Sequence, residues 1–327
     1  MFKKFVATAL VACIAVPAFA RPQIRIFYSL PWYPTGVEVL KDGQNTAKLL
    51  VRQAIKNSSS HKDAHNTLAL TADFFENQFG RRSYDGQNSE IKATVGLGKI
   101  DILPIFSAFK QNAAWASGLN RFLFGAGGAV LDNFEKHVDV VAHEYTHAIV
   151  DTSSRLKYEG ESGALNESFA DVFGEMAEVY AGRSQKKWLI GENVLTENGK
   201  RQFSQKEGRS VVALRDMMNP ENGLDKQPAH ISQIPAALGA GCVPTSGNDN
   251  CGVHALSGIP NRASALMVEA LGWEKMKGIF YIVMTQKLTP DAKFQDYARE
   301  MLNTCAERLS PQECQAVFES LRAVGLR

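Results

Sequence analysis

His143-Glu144-Tyr145-Thr146-His147 sets two imidazoles four residues apart with a carboxylate between them. In an α-helix residues four apart share a face, so the two rings can close on one divalent ion, and neutral imidazoles suit zinc. Glu144, one residue round the helix, can reach a water bound to that ion. The chemistry this implies is metal-assisted hydrolysis. Val138, Val140, Val141 and Ala142 precede the pentad, and Ala148, Ile149 and Val150 come after it. A helix that apolar is buried, which disfavours three polar groups unless they share a partner.

Two histidines leave a catalytic zinc site short, because such a site takes three protein ligands and keeps one position open. The segment Gly163-Ala164-Leu165-Asn166-Glu167-Ser168-Phe169-Ala170-Asp171 supplies the candidate third ligand. Apolar positions continue at Val172, Phe173, Met176, Ala177 and Tyr180, and Gly182 ends the run, as an amphipathic helix with a glycine stop would. Glu167 and Asp171 then share a face. Glu167 can ligate the ion while Asp171 takes the second N–H of a ligating histidine, fixing that ring's tautomer and orientation.

Together these segments resemble the thermolysin family of zinc endopeptidases. The resemblance runs with gaps from about Asp63 to the C-terminus, through Asp63-Ala64-His65, Ser83-Tyr84-Asp85-Gly86, Asn112-Ala113-Ala114-Trp115, Asp139 to Asp151, Leu156 to Asp171, Leu214-Arg215-Asp216-Met217, Asn250 to Gly258 and Ala323-Val324-Gly325. A metzincin would need a third histidine six residues after His147, where Ser153 stands. The resemblance implies an α+β, two-lobed fold: a β-rich N-terminal lobe, residues 63–151, ending in the active-site helix, and a mainly helical C-terminal lobe, residues 152–327, with zinc in the cleft between them.

It also implies roles outside the metal shell. His254 would donate to the oxyanion, Asp249 would orient His254, and Tyr158 would share the donation; one good donor is worth about 3 to 4 kcal/mol of barrier. Arg215 would hold a substrate carbonyl, and Asn112 with the Ala113 backbone would bind the substrate main chain. Val140, Ile190, Val194 and Leu214 would line the pocket for the residue after the scissile bond, predicting cleavage before Leu, Ile, Val or Phe. Asp139, Glu178 and Glu192 match carboxylates of a double calcium site, yet Lys187 and Leu189 stand where acidic ligands would be expected. At most one calcium, or none, is therefore expected, with the Lys187 ammonium neutralising the remaining carboxylates. Ala114 replaces a usual phenylalanine, which should widen or loosen substrate binding, and Ala170 replaces a usual serine with little expected effect.

The chain's beginning and composition bear on compartment. Lys3 and Lys4 precede an apolar run from Phe5 to Val16, and Ala18-Phe19-Ala20 offers a small-x-small site, so a secretory signal peptide cleaved after Ala20 is expected. No other stretch is long enough to span a bilayer. In an exported chain Cys242 with Cys251, and Cys305 with Cys314, are expected to pair locally as disulfides. A net charge of +2 with no long basic run gives no ground for nucleic-acid or anionic-membrane binding. The expected partners are peptide or protein substrates, and the expected state is a monomer. A protein that keeps the fold and metal but is catalytically silent, or processes one partner, is the alternative function.

Residues 21–62 do not match the family's N-terminal sheet clearly and could be a short pro-segment, a reduced sheet or an added arm. Ile24 to Tyr28 suggests a strand, Pro31, Pro34 and Gly36 punctuate the next few residues, and 38–57 is expected to be helical. Asp63 to Phe79 is expected to be helix, 87–131 strands and glycine-rich loops, and the chain from Asn133 mostly helix. His61, His65, His137 and His230 have no assigned role.

Overall fold

The computed structural model describes residues 21–30, 33–47, 58–98, 108–184, 187–239 and 241–327. The expected signal peptide, with Cys13, lies outside them. A six-stranded sheet holds β1 (Ile24–Leu30), β2 (Tyr33–Lys41), β3 (Gln44–Asn45), β4 (Ile91–Leu97), β5 (Ala113–Ala116) and β6 (Arg121–Gly125), in the order β3-β2-β1-β4-β6-β5. β1 alternates strictly: Ile24, Ile26, Tyr28 and Leu30 are buried and the residues between them are half-buried, the period-two signature of a strand with one face on the core. It runs parallel to β4, with Ile26 opposite Ala93, and antiparallel to β2. The N-terminal stretch is thus an inner part of the sheet.

The helix expected over 38–57 is not formed in its described part. β2 continues to Lys41, and Lys41 pairs with Gln44 across a two-residue turn at Asp42 (φ 46) and Gly43 (φ 78). Two consecutive positive φ values are what Asp-Gly favours in a tight hairpin, and that dipeptide was the local signal that outweighed helical periodicity. Residues 48–57 lie outside the described residues.

α1 (Ser60–Phe79) crosses the sheet's inner face and stops at Gly80 in a left-handed turn (φ 68). Behind it lie α2 (Val138–Asp151) and α3 (Gly160–Tyr180). Tyr145 of α2 stacks on Phe75 of α1 at 5.4 Å and on Phe122 of β6 at 5.6 Å, so one buried ring joins helix, helix and sheet. α2 and α3 pack closely: a Cβ at Gly174 would lie 2.7 Å from the carbonyl oxygen of Asp139. The helical lobe continues with a small β7–β8 ribbon (Leu189–Ile190 and Arg215–Asp216), then α4 (Glu197–Glu207), α5 (Asp249–Leu256), α6 (Gly258–Leu271), α7 (Trp273–Ile282), α8 (Phe294–Ala306) and α9 (Pro311–Ala323). Both expected disulfides are formed, Cys242–Cys251 and Cys305–Cys314. Among the described residues no helix is long and apolar enough to cross a membrane.

Candidate metal centre and catalytic cleft

α2 presents His143 and His147 on one face, as their spacing requires, with Nε2 of each ring 3.0 Å from the other. Behind the rings, His143 Nδ1 donates to Asp171 Oδ1 at 2.9 Å and His147 Nδ1 donates to Asn166 Oδ1 at 2.8 Å. Both Nδ1 atoms are therefore committed as donors, and two lone pairs face each other in the gap. Glu167 of α3 completes the cluster, with Oε2 3.3 Å from His143 Nε2 and Oε1 3.4 Å from His147 Nε2. Glu167 is fully buried and its Oε2 has no hydrogen-bond donor. Two facing imidazole lone pairs and an orphaned buried carboxylate oxygen are a donor set that a zinc ion satisfies at once.

The electrostatics agree. Burial alone would depress the His143 pKa, but its bond to Asp171 and the nearby Glu167 carboxylate push it up to about 10, so without a cation the cluster holds a proton where a metal's charge would go. Burial opposes ionisation of Glu167, yet His254, His147 and His143 bring it well below the usual carboxylate range. Asp171 is similarly buried and is brought down to about 2, chiefly by Arg215. Arg215 Nε and Nη2 grip its two oxygens at 2.8 and 2.7 Å, and Asn261 donates to Oδ2 at 2.8 Å. Asp171 is thus fixed from three sides.

The other expected residues surround a cleft of about 620 Å³ that contains the cluster. Glu144 lines it, held through Oε2 by the backbone N–H of Trp115 at 2.8 Å. Tyr158 donates to Glu167 Oε1 and its hydroxyl lies 3.3 Å from His254 Nε2. His254 is about half exposed; Asp249 accepts from its Nδ1 at 2.7 Å and from its backbone N–H at 2.9 Å. The charge of Glu167, then Asp249, raises the His254 pKa to about 9 against the effect of burial, which keeps it a donor. Asn112, Ala113, Val140, Ile190, Leu214 and Arg215 all line the cleft. Val194 does not: it is fully buried behind the wall, its carbonyl accepting from Asp132 N–H. Asn112 Oδ1 accepts from the Ala113 N–H at 2.9 Å, so that backbone donor is satisfied within the chain.

Three positioning residues escaped the sequence reading: Asn166 behind His147, Asn261 behind Asp171, and Arg215 in its grip on Asp171. Asn166 had a signal, since it precedes Glu167 on the ligand helix. Asn261 had none, lying 90 residues from Asp171.

Asp139, Glu178 and Glu192 also converge, each offering an oxygen within 4.8 Å of the others. Lys187 does not neutralise them, contrary to expectation; its ammonium lies 3.5 Å from Glu269 on the surface, beside Trp188, whose indole N–H donates to the same carboxylate. Glu175 adds a fourth carboxylate to the group. Among the described residues Asp139 Oδ1, Glu175 Oε2, Glu178 Oε2 and both oxygens of Glu192 lack a donor. Burial first, then mutual repulsion, raises Glu175 and Glu178 to about 8 and Glu192 to about 7. Among the described residues, His61, His65, His137 and His230 join neither group.

A β-rich lobe facing a helical lobe, with two histidines and a glutamate in the cleft between them, defines a zinc metallopeptidase of the two-lobed type. The family model "Thermolysin metallopeptidase, catalytic domain" matches residues 40–151, and "Thermolysin metallopeptidase, alpha-helical domain" matches 154–326. Relatives include an extracellular metalloprotease of Pectobacterium carotovorum subsp. carotovorum, 34% identical over 81% of this chain and 72% of its own length. Thermolysin of Alicyclobacillus acidocaldarius subsp. acidocaldarius is 33% identical over 81% of this chain and 45% of its own. Among solved structures, the precursor of protealysin, a metalloproteinase from Serratia proteamaculans, superimposes with a TM-score of 0.72 at 28% identity, covering 93% of this chain and 88% of that one. The chain belongs to the thermolysin family of zinc metallopeptidases. It spans about half the length of several of the curated relatives it matches.

Proposed function

We propose that this chain is a secreted endopeptidase that hydrolyses peptide bonds before an apolar residue, with zinc held by His143, His147 and Glu167. The observation that carries this reading is the pair of Nε2 lone pairs facing each other at 3.0 Å beside an orphaned glutamate oxygen. When bound there, zinc polarises the scissile carbonyl and lowers the pKa of water. Glu144, steadied through one oxygen by Trp115, takes the proton of the attacking water and passes it to the leaving amine. His254 and Tyr158 donate to the oxygen on which charge develops, with Asp249 keeping the His254 ring in line. No covalent enzyme intermediate is required.

β5 is the sheet's edge strand; the N–H groups of Ala113 and Trp115 are taken by Asn112 and Glu144, which leaves the Asn112 side-chain amide and the Ala113 carbonyl as main-chain contacts for an extended substrate. Val140, Ile190 and Leu214 form the apolar wall, which discriminates by buried area at about 25 cal/mol per Å² and gives preference rather than strict choice. Arg215 lines the cleft on the same side, its Nη1 lying 3.8 Å from Asp225 Oδ2 and suited to a substrate carbonyl as well. The lobes meet at residues 151–152, close to where the two family models meet. The Pectobacterium relative's description as extracellular, the two disulfides and the leader-like N-terminus support export. That the chain carries every one of these groups favours this reading over a catalytically silent relative.

The test is digestion of a peptide library by the purified protein, with and without a zinc chelator, with cut sites read by mass spectrometry. Cuts before Leu, Ile, Val or Phe, lost on chelation and restored by zinc, are expected. Cutting that survives chelation, or a map dominated by charged residues at that position, would overturn the reading.

A further inference from the structure

The cleft runs along α2. Val140 lies about one turn before His143 and Asp151 about one turn after His147, so at about 1.5 Å per residue the two ends of the wall are about 16 Å apart. The apolar residues gather at the Val140 end, while the Asp151 end is lined by Trp115, Asp151, Arg155, Leu156 and Lys157. With the scissile bond at the metal cluster and the residue after it in the apolar pocket, the Asp151 end receives the residues before the bond.

At that end two of the three charged walls are already engaged. Lys157 is paired with Asp291 at 2.5 Å, and Asp151 accepts from the Trp115 indole N–H at 3.2 Å. Arg155 is different. Only its backbone N–H is used, donating to Val150 O at 2.8 Å; among the described residues its exposed guanidinium makes no hydrogen bond or ion pair. Its backbone also sits at φ 56, in the left-handed region that closes α2 and that glycine occupies at least cost. An arginine there carries a conformational cost that, among the described residues, no side-chain contact offsets, and such outliers concentrate at functional sites.

We propose that Arg155 is a specificity-determining residue: its guanidinium receives a substrate carboxylate upstream of the cut, so the preferred sequence carries Asp or Glu before the bond and an apolar residue after it. Guanidinium and carboxylate match in planar two-point geometry, and the partner this cation lacks among the described residues is supplied by the peptide. The inference rests on the peptidase reading and narrows its substrate class.

The experiment uses matched peptides that share one apolar residue after the cut and carry Glu, Gln or Lys at each of the second to fourth positions before it. At low salt kcat/KM should favour Glu over Lys by about three- to tenfold at one of these positions, the scale of a partly exposed ion pair. The preference should shrink in about 0.5 M salt, where the screening length is only a few Å. Arg155→Gly, which suits the positive φ, should bring the Glu/Lys ratio to about one, and Arg155→Glu should invert it. An unchanged ratio in Arg155→Gly, with its thermal midpoint confirming a folded protein, would overturn the proposal. So would a wild-type ratio near one. Rates indifferent to charge sink this inference alone, whereas no cleavage of any peptide, the Gln series included, overturns the peptidase reading and this inference with it.

Discussion

His143 and Asp171 are joined by a 2.9 Å hydrogen bond whose acceptor is itself clamped by Arg215 and Asn261. The imidazole that faces the metal position is therefore held by Asp171, whose own orientation rests on Arg215 and Asn261. Removing such a support typically weakens metal binding 10- to 100-fold, roughly, without removing a ligand. Asp171→Asn should thus lower zinc affinity by about that factor in competition with a chelating dye, and His143→Ala or Glu167→Ala should lose the metal. Glu144→Gln should keep its zinc and fold yet lose activity by about 10²- to 10⁴-fold, because Glu144 handles protons and is not a ligand. Full activity in Glu144→Gln, or loss of its zinc, would contradict that division of labour.

The site was legible where its chemistry is local. The pentad fixes both histidines on one helical face, and Glu167 and Asp171 share a face of the next helix, so two periodicities locate four metal-site residues. The long-range contacts had no such signal: Asn261 reaches Asp171 only because α6 packs against α3. The roles of His254, Tyr158 and Asp249 came from resemblance, since spacing alone cannot bring Tyr158 and His254, 96 residues apart, within 3.3 Å. Beyond β1 the N-terminal sheet is not legible in the sequence, because an Asp-Gly hairpin overrides a segment that also suits a helix. The pocket residue Val194 was misplaced for a related reason: an apolar residue reads the same from sequence whether it lines a wall or stands behind it.

The Cys242–Cys251 bond closes the loop that delivers His254. Asp249, Asn250, Cys251 and Gly252 all have positive φ, three of them non-glycine residues that resist this conformation. Asp249 then turns back to accept from His254. Closing so short a loop is worth about 2 to 3 kcal/mol by chain entropy. Replacing both cysteines with serine should cost about that much stability and should lower kcat more than the equivalent change at Cys305–Cys314, which is far in sequence from the catalytic residues. Urea unfolding and steady-state kinetics on the two double variants check this. Equal kinetic effects at both bridges would show that the first has no special part in placing His254, and peptide mapping that found free thiols in exported material would remove the premise.

The carboxylates around Asp139 give the calcium-free fold a pH dependence. Asp139 Oδ2 is satisfied by the Gly191 N–H at 2.7 Å, but among the described residues Oδ1 and the facing glutamate oxygens have no donor, and Lys187 pairs with Glu269 instead. Glu175 and Glu178 are raised to about 8 and Glu192 to about 7, chiefly by burial, from an unfolded value near 4.5. The folded state therefore binds more protons than the unfolded one between these limits. Their contribution is fully present below about pH 4.5 and is lost as pH rises toward 8. A calcium ion, held by oxygen ligands, would replace those protons with fixed charge. We predict that protein stripped of calcium by a chelator that spares zinc loses thermal stability from pH 5.5 to 8 (both values chosen to bracket, roughly, the titration). Added calcium should then raise the unfolding midpoint by about 5 °C or more at the upper pH, and less at the lower. Because Lys187 and Leu189 remove two ligands of a double site, metal analysis should give one calcium per chain. Two ions per chain, or a midpoint that ignores both calcium and pH across that window, would refute this account of the cluster.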